Sequence, residues 1–220
     1  MKKKSILLTL TAVVLAMAIG VGGTIAYFTS TTEDVKNTFT VGNVAITLDE
    51  AKVKYANDEW TPDNSVPRVT ENTYENVYPG AHLPKDPTIH VAADSQDAYV
   101  AMKVVISKAA AWKALAEDHA SLNNLETVFE GYTEANWTKI AATEQGDNLV
   151  YVYMWEQGKV SANADLTLFT AMNIPNELSS EEIETLDGFT VTATGYAVQA
   201  QGVTAETAKA ELLKLADLGA

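Results

Sequence analysis

No cysteine occurs anywhere in the 220 residues. Disulfides and thiol catalysis are therefore excluded, and an exported chain of this composition fits a secretion route without oxidative folding machinery. Histidine is nearly as scarce. His82, His90 and His119 are the three present, and none falls in a His-Glu-x-x-His run, which a helical zinc protease needs so that two imidazoles reach one metal from successive turns. His82 and His90 flank an expected turn, within range of a carboxylate such as Asp86 or Asp94, and are read with His119 as polar residues without catalytic or ligand roles. No Gly-x-Ser-x-Gly, no phosphate-binding glycine loop and no Gly-x-Gly-x-x-Gly occurs, so hydrolase-elbow, nucleotide and dinucleotide chemistry lack their motifs. No catalytic residue, cofactor or metal ligand is expected.

Basic side chains are also few. The 15 lysines and arginines face 29 acids, and three of the lysines are Lys2, Lys3 and Lys4, directly before an apolar run from Ile6 to Ile19 broken by Thr9 and Thr11. This is the layout of a signal peptide. Thr24 and Ala26 are small residues three and one positions before Tyr27, which places the expected cut between Ala26 and Tyr27. Residues 1–26 are thus expected to contact the membrane only before cleavage. Their removal takes three basic and no acidic side chains and leaves a net charge of −17 on 194 residues. Such a surface repels nucleic acid and anionic lipid, and self-association against it is expected to respond to salt and acid.

What the mature chain has in quantity is strand pattern. Val44, Ile46 and Leu48 alternate after a Gly42-Asn43 turn, Val100, Met102, Val104 and Ile106 share one face, and Val150, Val152 and Met154 alternate with Tyr151, Tyr153 and Trp155. Residues 75–106 read as strand, Pro-Gly turn, strand, polar turn, strand. A Gln-Gly-Asp-Asn turn joins two further runs within 136–160, and 164–175 and 188–202 add two or more strands. Residues 52–73, acidic and polar, read as a surface loop whose 57–65 portion lacks the spacing of a calcium-binding loop. Helical spacing is confined to 107–129, where Trp112, Leu115 and Ala116 share a face, and to 204–218, where Thr204 caps a helix burying Ala208, Leu212 and Leu215. These patterns predict an all-β chain with minor helices, an antiparallel β-sandwich or jelly roll, spanning 40–220. "LPKDP" at 83–87 has Lys85-Asp86 where a sortase signal would have Thr-Gly and carries no sorting information, and Asn136-Trp137-Thr138 is a sequon of a kind frequent by chance.

The segment just after the cut stands apart. "YFTSTT", 27–32, is uncharged, rich in β-formers and free of glycine and proline, the composition of a strand suited to a partner edge. Two outcomes remain open on composition: a first strand paired within its own chain, or a connector to another.

At "GGTIAYF" and "NTFTVGNVAITLDEA" the chain resembles the TasA/camelysin family, secreted proteins of Gram-positive bacteria processed by a SipW-type signal peptidase. The likeness rests on Gly22 to Ala26 as a Gly-Gly-Thr-x-Ala cleavage region, on Tyr27-Phe28 directly after it, and on Thr38 to Gly42 as Thr-Phe-x-x-Gly before an alternating strand. "VYPGAHLPKDPTIHV", "VYVYMW" and "FTVTATGYAVQAQG" are similar to later parts of the family. The resemblance implies a jelly-roll domain and, for its fibre-forming members, extracellular biofilm-matrix fibres in which the mature N-terminal segment of one subunit completes a sheet of the next. The assembly strand would be 27–39, with Tyr27, Phe28, Thr29, Ser30, Thr31, Thr32, Val35 and Phe39 as its contact residues. Implied partners are further copies of the chain in a homo-oligomeric fibre, the signal peptidase and an accessory matrix protein. The alternatives are a cell-surface metal-dependent protease of camelysin type, for which no catalytic constellation is found, and a monomeric surface adhesin.

Overall fold

The computed structural model describes residues 29–33, 36–37 and 44–219. The first seven strands are β1 (Thr29–Glu33), β2 (Lys36–Asn37), β3 (Ile46–Asp49), β4 (Val53–Ala56), β5 (Glu59–Pro62), β6 (His82–Pro84) and β7 (Thr88–Val91). Strand β8 (Ala98–Ser107) leads into helix α1 (Ala109–Asp118), and β9 (Phe129–Glu130), β10 (Trp137–Gln145), β11 (Asn148–Trp155), β12 (Asp165–Thr167) and β13 (Ala171–Asn173) follow. Helix α2 (Ser180–Thr185), β14 (Val191–Gln199) and helix α3 (Ala205–Leu215) end the chain. Among the described residues the fold is mostly β with three α-helices, and its strand pairs are antiparallel.

The largest sheet runs β10-β11-β8-β14-β1-β2. Its middle strand β8 is buried along nearly its whole length, because both faces of the sheet are covered. Val100, Met102, Val104 and Ile106 face the main core with Tyr153, Trp112 and Trp137. Tyr99 and Ala101 face the other way, onto Ala208, Leu212 and Ala216 of the α3 segment, together with Val152, Met154 and Val198. Each fully buried large side chain contributes about 1.5–3 kcal/mol, so the alternation along β8 and β11 fixes both layers at once. Lys103, on the α3 side, donates from Nζ to the carbonyl of Ala216 at 3.2 Å, where a cation opposes the negative end of the helix dipole.

Helix α3 starts as its sequence predicts, with the Thr204 hydroxyl accepting from the Thr207 amide at 3.2 Å. Helix α1 buries Trp112 and Leu115 but stops at Asp118 rather than running toward 129. Beyond it, 3-10 turns at Ala120–Asn123 and Leu125–Val128 bury Leu122, Leu125 and Val128. Within the second turn, the spacing of three between Leu125 and Val128 matches the three-residue turn of a 3-10 helix and puts both on one side.

Two expectations are corrected. The acidic 52–73 stretch contains the β4–β5 hairpin, made possible by Asn57 and Asp58, both at positive φ (54° and 61°) as a type I′ turn requires. No strand forms before Pro79-Gly80 in the 75–106 region, and the strand after it divides into β6 and β7 around Pro84 and Pro87, which have no amide to donate to a ladder. The turn expected at Gly42-Asn43 lies outside the described residues. Strand β3 pairs with β7 in a β12-β7-β3 sheet, while β6, β13 and β9 form another. Strand β3 also lies beside β14 and β1.

Candidate functional site

The connector expected at 27–39 falls partly within the described residues. Thr29, Ser30 and Thr31 of β1 pair with Val198, Ala197 and Tyr196 of β14 in the same chain, and Thr32 and Glu33 pair with Asn37 and Lys36 of β2. Tyr27, Phe28, Val35, Phe39 and the bond between Ala26 and Tyr27 lie outside the described residues.

The two ends of the large sheet differ. At one end β10 is blunted: its register slips between Lys139 and Ala141, and its exposed Glu144 pairs with Lys113 at 2.9 Å. A bulge and charges of this kind discourage pairing with another chain. At the other end, among the described residues, β1 pairs with β14 at Tyr196–Val198. Along Val191–Thr194, β14 is partly exposed and, among the described residues, its ladder is with β8 alone.

That stretch borders a groove of about 1260 Å³ between β14, α2, the 70–79 segment and the end of β3. Its apolar lining includes Leu48, Tyr74, Val77, Ile183, Phe189 and Val191. Helix α2 was not foreseen, although Ser179 and Glu182 form a capping box that a Ser-x-x-Glu pattern announces. The Glu182 carboxylate accepts from the Ser179 amide at 2.7 Å and contacts Nε2 of His119 at 2.8 Å, tying the groove wall to the end of α1. Those backbone and imidazole contacts hold Glu182 down at about 2, and its hydrogen bond raises His119 above its ordinary range.

The end of β3 also carries a partly exposed polar cluster, of which Asp49 lines the groove. Arg68 forms ion pairs with Asp49 and with Asp86, the latter at 2.7 Å, and donates to the Thr88 hydroxyl at 3.1 Å. His90 contacts Asp49 through Nε2 at 2.9 Å and Asp165 through Nδ1 at 2.6 Å, so β3, β7 and β12 are joined through one imidazole. Burial lowers the His90 pKa, but the two carboxylate contacts outweigh it and the net shift is upward. The partners expected for His82 and His90, Asp86 or Asp94, are thereby corrected: His82 faces Glu130 at 3.4 Å. Glu50, with 7% of its side chain exposed, pairs with Lys85 at 2.5 Å, and Asn72 donates to its other oxygen at 3.0 Å. The long-range pairing of β3 with β7 creates these contacts, and nothing local in the sequence signals them.

Among the described residues no group of three or more His, Asp or Glu side chains is placed to hold a metal ion, and no helix is long and apolar enough to cross a membrane. Asp63, from the acidic 57–65 stretch, accepts instead from the Ser65 amide and hydroxyl at 3.1 and 2.6 Å. No family model, curated protein or solved structure matches the chain. The site is therefore described by its own geometry: a partly covered sheet edge flanked by an apolar groove.

Proposed function

We propose that this is a secreted structural protein of TasA/camelysin type, which assembles into extracellular biofilm-matrix fibres by adding the N-terminal strand of one subunit to the sheet of the next. The observation that carries the proposal is the β14 edge at Val191–Thr194, which borders the groove while the opposite edge of the same sheet is blunted. In the fibre, β1 leaves its own β14 and pairs antiparallel along the neighbour's β14 from Val198 to Val191, so that Tyr27 and Phe28 anchor the strand at the Val198 end and the residues after Glu33 reach the groove. Among the described residues three pairs hold β1 to β14 in cis, and these must open first. Backbone hydrogen bonds would set direction and register, and side chains in the groove would supply specificity. A head-to-tail contact that does not close on itself generates a filament. The six-stranded sheet on one side and the β12-β7-β3 and β6-β13-β9 sheets that share the main core with it are taken as the two layers of a jelly-roll sandwich. Cleavage after Ala26 by a SipW-type peptidase would free the strand, and an accessory matrix protein would meet the fibre outside the cell. No residue is assigned a catalytic role.

A second reading has its own support. Because β1 pairs within one chain, a monomeric surface adhesin with a self-completed sheet also fits. Sedimentation of the mature protein with and without residues 27–39 separates the two: loss of large species on truncation supports the fibre, and a monomer in both supports the adhesin.

A further inference from the structure

Among the described residues, the Lys85–Glu50 pair is the most buried of the lysine–carboxylate pairs. Lys54, Lys113, Lys139 and Lys214 are 52, 58, 36 and 55% exposed in their side chains, whereas Lys85 is 13% and Glu50 7% exposed. One carboxylate serves two nitrogens: Oε2 of Glu50 accepts from Lys85 Nζ at 2.5 Å, and Oε1 accepts from Asn72 Nδ2 at 3.0 Å. The asparagine amide is fixed in place, its Nδ2 also donating to the Ala51 carbonyl at 2.8 Å and its Oδ1 accepting from the Val53 amide at 3.0 Å. The backbone holds each corner. Glu50 exchanges two 2.8 Å hydrogen bonds with Val69, and the Lys85 amide donates to Thr170 at 3.1 Å.

We propose that these three side chains form an intramolecular isopeptide bond, in which Lys85 Nζ becomes joined to Asn72 Cγ and Glu50 moves the protons. A buried ion pair is costly to keep desolvated, and moving one proton from Nζ to Oε2 leaves a neutral amine beside a neutral acid. The amine lone pair attacks Cγ of Asn72. Negative charge develops on Oδ1, where the Val53 amide already donates, an arrangement of the oxyanion-hole kind. Glu50 delivers its proton to Nδ2 and takes one from Nζ, the Cγ–Nδ2 bond breaks, and ammonia departs through the groove that all three residues line. Lysine ammonium and asparagine amide are consumed, and a secondary amide and ammonium are produced. No oxidant or cofactor enters the balance. The product ties the 64–80 segment to the end of β6, a covalent staple in a chain that has no cysteine to make one.

Intact mass spectrometry of the folded mature protein tests this. The expected mass is below that calculated from the sequence by one ammonia, and proteolysis should yield one branched peptide carrying residues 72 and 85. The branch is essential, because succinimide formation at an asparagine also releases ammonia without joining two peptides. K85R and E50Q should restore the full mass and give two linear peptides. N72D, if it reacts, should lose water in place of ammonia. Recovery of residues 72 and 85 in separate linear peptides from folded wild-type protein would overturn the proposal, whatever the intact mass. A branched peptide that persists in E50Q would overturn the role of Glu50. Should either variant misfold, the wild-type peptide map decides alone.

Discussion

Asp147 caps helix α1 from another element: its Oδ1 accepts from the Ala110 amide at 2.9 Å, and its backbone carbonyl accepts from the Ala109 amide at 3.1 Å. The residue at the helix start, Lys108, is left-handed (φ 62°) and offers no side-chain cap. The β10–β11 turn supplies it, with Gly146 at φ 60° beginning the turn and Asp147 following.

Asp147→Ala should therefore lower stability by about 1 kcal/mol, with Asp147→Asn retaining most of it. Urea unfolding measures this as a fall in midpoint at unchanged slope. A loss confined to the alanine variant identifies the cap.

The His119–Glu182 contact makes stability depend on pH at both ends. His119 is raised above its ordinary 6.5, so its contribution is complete below about pH 6.5 and is lost as pH rises through the folded value. Glu182 is lowered from 4.5 to about 2, so its contribution is complete above about pH 4.5 and is lost as pH falls toward 2. Urea midpoints should show His119→Gln flattening the alkaline limb and Glu182→Gln flattening the acid limb. Fibre formation should survive the histidine change, because the proposal gives His119 no part in strand pairing.

Ala193 lines the groove beside the partly covered edge of β14. A charge there should deter an incoming strand, as inward-pointing charges do at natural sheet edges. Ala193→Lys should fold, as judged by near-UV circular dichroism, yet sediment as a monomer under conditions where the parent polymerises. Unimpaired fibres from this variant would exclude the groove as the docking site.

Much of the architecture was legible because single strands report their own burial. The two-sided pattern of β8 and β11, the cap at Thr204 and the turn at Gly146-Asp147 all depend on neighbours in sequence. The β4–β5 hairpin was not legible because Asp58, Glu59 and Asp63 give it the composition of a loop, and the paired positive φ values of Asn57 and Asp58 outweigh that composition. Helix α2 has six residues, too few for periodicity, so its capping box was the one available signal. The Glu50–Lys85 and Ala51–Asp86 contacts join residues 35 positions apart. They exist because β3 pairs with β7, a register that hydrophobic pattern alone does not specify. At the β14 edge, sequence marked the strand 27–32 as suited to pairing, and the described residues place Thr29–Thr31 on β14 of the same chain.

The central claim is that the N-terminal strand serves assembly and is separable from the core. Electron microscopy of secreted protein lacking Tyr27 to Thr32, with near-UV circular dichroism on the same sample, tests it most directly. A folded, soluble monomer and no fibres is expected, since Val100, Tyr153, Ile46 and Trp112 of the main core all lie outside the deleted segment. A variant that loses its near-UV signal would show the strand to be part of the fold, and a folded variant that still forms fibres would show that assembly uses another surface.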